Sequence, residues 1–365
     1  MTASPVTRPG HVLCVRLDSL GDVLLAGGAV RAVARSATRV SMLVAPDQAA
    51  AAALLPGIDD VVTFDAPWVP LEPRPVRPRL TRRLVRTLRR RQIDAAVVFT
   101  SFHQSALPIA LLLRLAGVRW IGAFSEDYPG SLLDLRHRPV DDLPEAERAL
   151  SLVEAAGFTA DGEGARPAVR RPLPPAPPWL PHEPYLVLHP GAAVPARRPS
   201  PEHSRAIAQA LGDAGWPVVV TGSAGERELT ATVAGDRGLD AGGRLTLAEL
   251  ATVLDRAQVV VAPNTGPAHL AAAVGTPVVS LHAPVVPFER WRPYGVPVVR
   301  LGDQQASCRL TRSRACPVEG HPCLSSITAE EVVAAVTSLS PPTRHAAAGV
   351  SGGPDSLLTP ERLRP

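Results

Sequence analysis

The sequence contains no lysine, and all 38 of its basic side chains are arginine. Together with 40 prolines and abundant alanine, this indicates a bias in the composition of the coding DNA. The net charge of +4 is therefore a poor indicator of a nucleic-acid partner. Aromatic residues make up only 4% of the chain and do not cluster among the arginines, which argues against a surface on which bases stack. We expect no nucleic-acid partner.

Long apolar runs are also missing. No stretch of about 18 uncharged apolar residues occurs, so we expect no membrane-spanning helix. The N-terminal MTASPVTRPG lacks the apolar region of a secretory signal, and we therefore expect a cytoplasmic protein. At 365 residues, 45% of them hydrophobic, the chain is long enough for two domains with separate cores.

Cysteine is scarce, with four residues in the chain. Cys14 falls in the first predicted strand and is expected to be a small core residue. Cys308, Cys316 and Cys323 cluster around His321 as CRLTRSRACPVEGHPC. Their spacing lacks the C-x2-C pattern of a zinc knuckle, so we favour reduced thiols or a local disulfide over structural zinc.

Short apolar strands alternate with helical lengths in both halves of the chain. This alternation predicts βαβ units with parallel sheets. The stretch between the halves is dense in proline and is read as a stiff linker. We predict an α/β protein with a Rossmann-like domain over residues 1–165, a linker over 166–184, a second Rossmann-like domain over 185–338 and a disordered tail over 339–365. Ligands should bind in the central cleft that both parallel sheets face.

The stretch VVVAPNTGPAHLAAAVG predicts a buried strand, a tight turn and a helix of small residues. Asn264 is expected to cap this helix. Thr265, Gly266 and His269 lie where free N–H groups and the helix dipole favour an anion, and Gly266 leaves room for close backbone approach. The alternative is a capped helix that binds nothing.

The stretch RLDSLGDVLLAGG follows the first strand and opens a helix predicted from Gly21 to Arg35. It lacks G-x-G-x-x-G, which disfavours dinucleotide binding. Asp18 and Asp22 lie about one helical turn apart, and a carboxylate poised at a cleft can act as a general base. We assign Asp18, Ser19 and Gly21 to the acceptor side of the cleft. The alternative for Asp22 is a role in capping the helix.

The stretch HPGAAVPARRPS lies between a strand and a helix that Ser200 is predicted to cap. Arg197 and Arg198 are suited to a diphosphate without a metal ion, because guanidinium groups pair with phosphate oxygens in bidentate fashion. The alternative is a solvated basic loop, which the arginine-rich composition makes common.

Together, RLDSLGDVLL, HPGAAVPARRPSPE and TLAELATVLDRAQVVVAPNTGPAHLAAAVGTPVVSLHAP resemble glycosyltransferase family 9. These are the heptosyltransferases that move heptose from ADP-heptose onto lipopolysaccharide core, and their relatives. The resemblance runs from about His11 to Ser338. It implies a GT-B fold, an inverting mechanism without a metal or cofactor, a nucleotide-diphosphate sugar donor held mainly by the C-terminal domain, and a glycan or glycolipid acceptor.

The resemblance also implies roles for single residues. Asp22 matches the family's proposed catalytic base, and Arg197 matches a lysine that binds donor phosphate. Thr265, Gly266 and His269 match the donor-binding motif D-T/S-G-x-x-H.

Further matches and departures concern the nucleotide. Glu226 falls where the family places a carboxylate near the ribose, and Leu245 falls beside the expected adenine pocket. Asn264 stands in place of the usual aspartate, which removes a negative charge from the donor site. Pro199 stands where many members carry tryptophan.

A basic segment with nine arginines and no acid lies between Arg74 and Arg91. Leu80, Leu84 and Leu88 recur within it at helical spacing. Two interpretations stay open: peripheral contact with the cytoplasmic membrane face near a lipid-linked acceptor, or a solvated helix. For the whole chain the alternatives to a glycosyltransferase are another nucleotide-sugar enzyme on the same plan, such as an epimerase, and a non-catalytic nucleotide-sugar binding protein.

Overall fold

The computed structural model describes residues 9–70, 72–101, 103–139 and 142–340. Its first half forms a sheet of six parallel strands in the order β3-β2-β1-β4-β5-β6. In chain order these are β1 (His11–Val15), β2 (Arg39–Val44), β3 (Asp60–Thr63), β4 (Ala95–Val98), β5 (Trp120–Phe124) and β6 (Leu135–His137).

The second half repeats this plan. Its strands are β7 (Leu186–Leu188), β8 (Val218–Val220), β9 (Leu239–Asp240), β10 (Val259–Pro263), β11 (Val278–Leu281) and β12 (Val298–Leu301). They too are parallel, in the order β12-β11-β10-β7-β8-β9.

Helices cover both faces of both sheets. Those of the first half are α1 (Leu20–Leu25), α2 (Gly27–Ala34), α3 (Ala49–Leu54), α4 (Pro78–Arg90), α5 (Leu107–Ala116) and α6 (Glu145–Ala155). Those of the second half are α7 (Pro201–Asp213), α8 (Arg227–Ala234), α9 (Leu247–Asp255), α10 (Gly266–Val274), α11 (Phe288–Trp291), α12 (Pro322–Ser325) and α13 (Ala329–Leu339).

The core follows from the alternation of side chains along the strands. Val12 and Cys14 of β1 face α1, α2, α3 and α6, whereas Leu13 and Val15 face α4 and α5. The first of these layers continues without a break into the layer of α9 and α10, which covers the inner face of the second sheet. The outer face of that sheet carries α7, α8 and α13. The two halves therefore share one apolar layer between their sheets.

Both sheets have the strand order of a Rossmann fold, with the first strand beside the fourth. In such sheets the crevice lies at the carboxyl ends of these two central strands, where the connections depart to opposite sides. The predicted α/β fold with two parallel Rossmann-like sheets is confirmed. Loops after β1, β4, β7 and β10 are thereby placed to build a site.

The two halves meet where the N-terminal ends of α1 and α10 touch. A Cβ atom placed on Gly21 would lie 2.5 Å from Cδ2 of His269, and one on Gly266 would lie 2.6 Å from Cδ2 of Leu20. Gly266 therefore makes room for a neighbouring side chain of the other half. The expectation that its missing side chain serves close approach to a phosphate stays a prediction.

The helix predicted from Gly21 to Arg35 is in fact two helices, α1 and α2, that meet at Ala26. Two consecutive glycines, Gly27 and Gly28, follow the junction and weaken helical continuity. Gly28 packs against backbone atoms of Gly164 and Ala165, which leaves no room for a side chain there.

The proline-rich stretch contains no helix or strand between residues 161 and 184, all of which are described. It touches both halves: the backbone N–H of Arg170 donates to the carbonyl of Leu54 at 2.6 Å, and Arg171 pairs with Asp255 at 2.7 Å. Its role as a linker stays a prediction. The predicted disordered tail lies outside the described residues from residue 341 onward.

Replacing Gly28 with alanine should destabilise the protein, because the new Cβ would lie 2.7 Å from the carbonyl oxygen of Gly164. We expect a loss of about 1–3 kcal/mol in the free energy of unfolding. Gly212→Ala in α7 is the matched control, since its Cβ would meet no atom within 4 Å, and it should gain about 0.5–1 kcal/mol. Denaturant titration of both variants measures the difference. Equal effects of the two substitutions would contradict the close packing at Gly28.

Candidate active site

Asp22 lies in the first turn of α1, just beyond the carboxyl end of β1. Ser19 caps this helix, and its hydroxyl and backbone N–H donate to Oδ2 of Asp22 at 2.7 and 3.3 Å. These two bonds fix both the start of the helix and the orientation of the carboxylate. The capping role weighed for Asp22 is thus present, and its second oxygen is left for other partners.

Those partners meet at Arg16, a buried arginine that follows β1 and is only 1% exposed. Its Nη2 lies 2.9 Å from Oδ1 of Asp22 and 3.2 Å from Oδ2 of Asp18, and its Nη1 lies 3.4 Å from Oε2 of Glu145. The same Nη2 donates to the hydroxyl of Ser101 at 3.1 Å. One guanidinium therefore joins three carboxylates from three parts of the chain.

The pKa values of the two aspartates in this cluster are shifted in opposite directions. Burial raises the pKa of Asp18 to about 6, although Arg16 and Ser101 work against the shift. Burial also opposes ionisation of Asp22, but Arg16 and the hydrogen bonds from Ser19 outweigh it and hold that pKa below its usual value. Asp22 is therefore the carboxylate that is firmly ionised at neutral pH.

The facing wall belongs to the second half of the chain. The residue that precedes α10 with extended backbone is Thr265, so the prediction that Asn264 caps the helix is wrong. β10 ends at Pro263, and the side chain of Asn264 that follows is buried. Its Nδ2 has no hydrogen-bond partner among the described residues.

Two more nitrogens of this wall are buried without a partner in the described part of the chain: Nδ1 of His269 and Nε of Arg197. Burial lowers the pKa of His269 to about 4, so its ring is neutral at physiological pH. Burial likewise lowers the pKa of Arg197, while Asp22 acts in the opposite sense. Buried polar atoms normally have partners, so these three nitrogens are available to a polar ligand that enters from the cleft.

A cavity of about 390 Å³ separates the two walls. Nine of the twelve residues predicted for the site line it. They are Asp18, Ser19, Gly21 and Asp22 from the first half and Arg197, Asn264, Thr265, Gly266 and His269 from the second.

The other three predicted residues, Arg198, Glu226 and Leu245, do not line this cavity. Glu226 accepts hydrogen bonds at 2.8 Å from both the backbone N–H and the hydroxyl of Ser223. Burial opposes ionisation of Glu226, but these bonds, with His189 and Arg198 nearby, hold its pKa below the usual value. Leu245 packs against the shared apolar layer before α9. Their assignment to the nucleotide stays a prediction.

Sequence reasoning missed Arg312 and Arg314, which also line the cavity. Both lie in the cysteine-containing segment, which wraps around the turn of Arg197. The carbonyl of Arg314 accepts from the N–H of Ala196 at 2.8 Å, and His321 Nε2 lies 3.0 Å from the carbonyl of Ala196. Across the cleft, Nη2 of Arg312 lies 2.8 Å from Nδ1 of His103.

The backbone of this segment is strained. Leu310, Arg312 and His321 adopt left-handed conformations with φ of 61°, 60° and 51°. Such conformations cost free energy for residues other than glycine and cluster at functional sites. The strain, together with the contacts to the Arg197 turn, marks the segment as part of the site.

All four cysteines are free thiols, and the prediction that Cys14 is a core residue is confirmed. Cys308 and Cys323 are buried in the outer apolar layer of the second sheet. Within the described residues, no group of three or more histidine, cysteine, aspartate or glutamate side chains is placed to hold a metal ion.

Most of the basic segment forms α4, and two of its three leucines face the domain interior. Leu84 and Leu88 are buried and therefore unavailable for insertion into a membrane, whereas Leu80 is 44% exposed. In the described part of the chain, no helix has the length and apolarity needed to cross a bilayer.

Comparison with known proteins places these features among known enzymes. The model of glycosyltransferase family 9 (heptosyltransferase) matches residues 81–321. Lipopolysaccharide heptosyltransferase 1 of Pseudomonas aeruginosa is 38% identical over 111 residues, 29% of this chain and 31% of that protein. Lipopolysaccharide heptosyltransferase 3 of Escherichia coli is 31% identical over 145 residues, 37% of this chain and 41% of that protein. The matches thus span less than half of these curated relatives.

Solved structures resemble the chain over most of its length. E. coli ADP-heptose lipopolysaccharide heptosyltransferase II has a TM-score of 0.69 at 19% identity, covering 90% of this chain and 98% of that one. The glycosyltransferase family 9 protein of Veillonella parvula has a TM-score of 0.73 at 18% identity, covering 93% and 99%. At these identities the likeness shows the fold, and it confirms the predicted GT-B plan.

The carboxylate cluster predicts a pH-dependent stability. Because the pKa of Asp18 rises from 3.8 to about 6 on folding, the folded state binds more protons than the unfolded state between these values. Stability contributed by this group therefore falls as the pH rises through that window. Asparagine cannot ionise, so Asp18→Asn should lack this fall, and the difference in stability between variant and wild type should shift in favour of the variant as the pH rises from about 4 to 7.

Melting temperatures of both proteins across this range provide the measurement. Asp213→Asn, which removes an exposed carboxylate paired with Arg237, is the surface control. A difference between Asp18→Asn and wild type that is independent of pH would contradict the raised pKa.

Proposed function

The chain belongs to glycosyltransferase family 9, and on that premise we propose that it transfers a sugar from a nucleotide-diphosphate donor to a hydroxyl of a glycan or glycolipid acceptor. The reaction proposed is a single displacement with inversion. One observation carries the proposal: an ionised carboxylate, Asp22, shares a cavity with three buried side-chain nitrogens that have no described partner. Such a cavity can hold an acceptor hydroxyl beside Asp22 on one wall and a departing anion beside the three nitrogens on the other.

In the proposed mechanism the acceptor hydroxyl oxygen attacks the anomeric carbon as the bond to the diphosphate oxygen breaks. The hydroxyl proton passes to Asp22, and the electron pair of the broken bond leaves with the nucleoside diphosphate. The low pKa of Asp22 keeps the group ionised but makes it a weak base. Proton transfer should therefore accompany bond formation rather than precede it.

Arg197, Arg312 and Arg314 surround the proposed position of the leaving diphosphate. The N-terminus of α10 adds free N–H groups and the positive end of a helix dipole. Together these groups can balance a developing negative charge without a divalent cation. We therefore propose that transfer needs no metal and proceeds unchanged in the presence of EDTA.

ADP-heptose is the donor that we propose. An E. coli heptosyltransferase related in fold has been solved with ADP and with ADP-2-deoxy-2-fluoro heptose. Asn264 sets this chain apart, because its amide can both donate and accept where a carboxylate would only accept. Its unpartnered Nδ2 suits a hydroxyl or phosphate oxygen of the donor.

Two substitutions should separate chemistry from donor binding. Asp22→Asn should lower the transfer rate by about 10²–10⁴ through loss of the general base, while leaving the affinity for ADP within a few-fold. Arg197→Gln should weaken ADP binding by about 1.5–3 kcal/mol, because it removes a charge-assisted contact to phosphate. Calorimetry with ADP measures the affinity. Release of ADP from ADP-heptose, with lipopolysaccharide core as acceptor and EDTA present, measures the transfer rate.

Arg237→Gln is the matched control, since it removes an arginine of the same half that pairs with Asp213 at the surface. Normal transfer by Asp22→Asn would reduce Asp22 to a helix cap. Unchanged ADP affinity in Arg197→Gln would refute the donor site. Isomerised sugar without transfer would identify an epimerase-like enzyme, and binding without turnover a non-catalytic binding protein.

The proposed location is the cytoplasm, in peripheral contact with the inner face of the membrane. Six arginines of α4 are exposed: Arg79, Arg82, Arg83, Arg86, Arg89 and Arg90. Leu111 and Leu115 of the adjacent α5 are 48% and 53% exposed. Since the leucines of α4 are mostly buried, the contact that this surface supports is chiefly electrostatic, at about 1 kcal/mol per arginine on an anionic lipid surface.

Sedimentation with lipid vesicles tests this contact. The full chain should bind vesicles that contain anionic phospholipid and not purely zwitterionic ones. The double variant Arg82→Glu/Arg86→Glu should lose this binding, whereas Arg205→Glu/Arg237→Glu, which changes the net charge equally on the other half, should retain it. Equal loss in both variants, or binding to zwitterionic vesicles, would refute a specific basic surface.

A further inference from the structure

A second cavity, of about 270 Å³, opens from the cleft into the first half of the chain. The two cavities share a mouth formed by Leu17, Asp18, Val69, Pro70, His103 and Gln104. Beyond the mouth the described walls are Val15, Trp68, Val98, Phe99, Thr100, Ser105, Pro108 and Ile109. The residues assigned above to the donor lie elsewhere, so this space is left for a different ligand.

Asp18 forms the polar end of this cavity and is held rigidly. The hydroxyl of Ser101 donates to its Oδ2 at 2.6 Å, and Nη2 of Arg16 lies 3.2 Å away. The side-chain amide of Gln104, oriented with its nitrogen toward Asp18, donates to both carboxylate oxygens at 3.1 Å. A carboxylate fixed in this way has lone pairs left for hydroxyl donors from the cavity.

The charge of the lining favours an uncharged occupant. Among the described residues of the wall, Asp18 is the one carboxylate and no arginine occurs. Burial lowers the pKa of His103, as does the nearby Arg312, so its ring adds no positive charge at neutral pH. The cleft next door carries three arginines in its lining. An anionic group would therefore find partners in the cleft but meet a like charge in this cavity.

Apart from Thr100 and Ser105, the wall beyond the mouth is apolar and partly aromatic. Trp68 is half-buried, and its ring packs against Phe64 at 5.8 Å between centroids and 49° between planes. Pro108 and Ile109, at the start of α5, complete this side. Such a wall suits the C–H face of a sugar ring, since ligand pockets combine apolar surface with a few fixed polar groups.

We propose that this cavity is the subsite for an uncharged sugar ring of the acceptor, with Asp18 accepting hydrogen bonds from its hydroxyls and Trp68 packing on its face. The proposal rests on the proposed function, because it makes the ring part of the attacking substrate. Asp18 and Asp22 are bound to the same nitrogen of Arg16, so a ring held by Asp18 presents a neighbouring hydroxyl to Asp22.

Ligand-observed saturation-transfer NMR on the full chain tests the subsite without the natural acceptor. The probes are methyl glycosides of glucose, galactose and mannose at millimolar concentration, with the matched uronate and its uncharged amide. At least one glycoside and its amide counterpart should receive saturation, and the uronate should bind roughly tenfold more weakly or worse. Asp18→Asn should abolish this discrimination, and Trp68→Ala should weaken all of the uncharged probes together.

Wild-type binding of the uronate as well as of the amide would overturn the proposal. So would discrimination that persists in Asp18→Asn, or the absence of saturation transfer to every glycoside. Melting temperature and ADP affinity of each variant establish that it is folded, and Trp68→Phe is the conservative variant that should retain glycoside binding. Wild-type protein that discriminates between the glycosides but does not bind ADP would refute the donor site alone. Wild-type protein that binds ADP but does not discriminate between the glycosides would refute this subsite alone.

Discussion

The guanidinium of Arg16 is the interaction on which the candidate site depends. It follows the central strand of the first sheet and draws together Asp18, Asp22 and Glu145, which come from a loop, from α1 and from α6. Removing one partner of a buried ion pair typically costs about 3–5 kcal/mol. Arginine suits this position because its planar group offers five N–H donors in a fixed fork, which lysine cannot match. The same bonds therefore hold the sheet to its helices and aim the proposed base.

Charge divides the cleft into two unlike walls. Two carboxylates of the first half, Asp18 and Asp22, face Arg197, Arg312 and Arg314 of the second half. Each wall is fixed by its own fold before any ligand arrives, so little reorganisation is needed when charge moves between substrates. Electrostatic preorganisation of this kind is commonly the largest contribution to catalysis. The separation into a negative and a positive wall thus matches a reaction that takes a proton on one side and releases an anion on the other.

Much of the fold and of the candidate site could be predicted from the sequence, because the signals for strands and helix starts coincide with the motifs. Apolar runs identified the central strands, and Ser200 caps α7 as predicted, accepting from the N–H of His203 at 3.1 Å. Two adjacent polar residues made the start of α10 ambiguous in the sequence: Thr265, and not Asn264, precedes its first turn. The short edge strands β6 and β9, of three and two residues, have no apolar run to reveal them.

Contacts between residues that are distant in sequence could not be predicted. Glu145 meets Arg16 across 129 positions, and nothing in the sequence near either residue encodes that pairing. Arg312 and Arg314 were missed for another reason. Because every basic side chain of this chain is arginine, a functional arginine cannot be told from a surface arginine by residue type. Only the folding of their segment around Ala196 distinguishes them from surface arginines.

The contact between α1 and α10 also limits how the cleft can open. Leu20 of one half fills the space left by Gly266, and His269 of the other fills the space left by Gly21. Sliding of the halves past each other would drive each side chain into backbone, so a shear motion is blocked at this point. Rotation about it separates the walls without that clash, and the contact of Arg312 with His103, which joins the two walls, would break as they separate. Opening and closing of this protein should therefore follow a hinge with its pivot at two glycines.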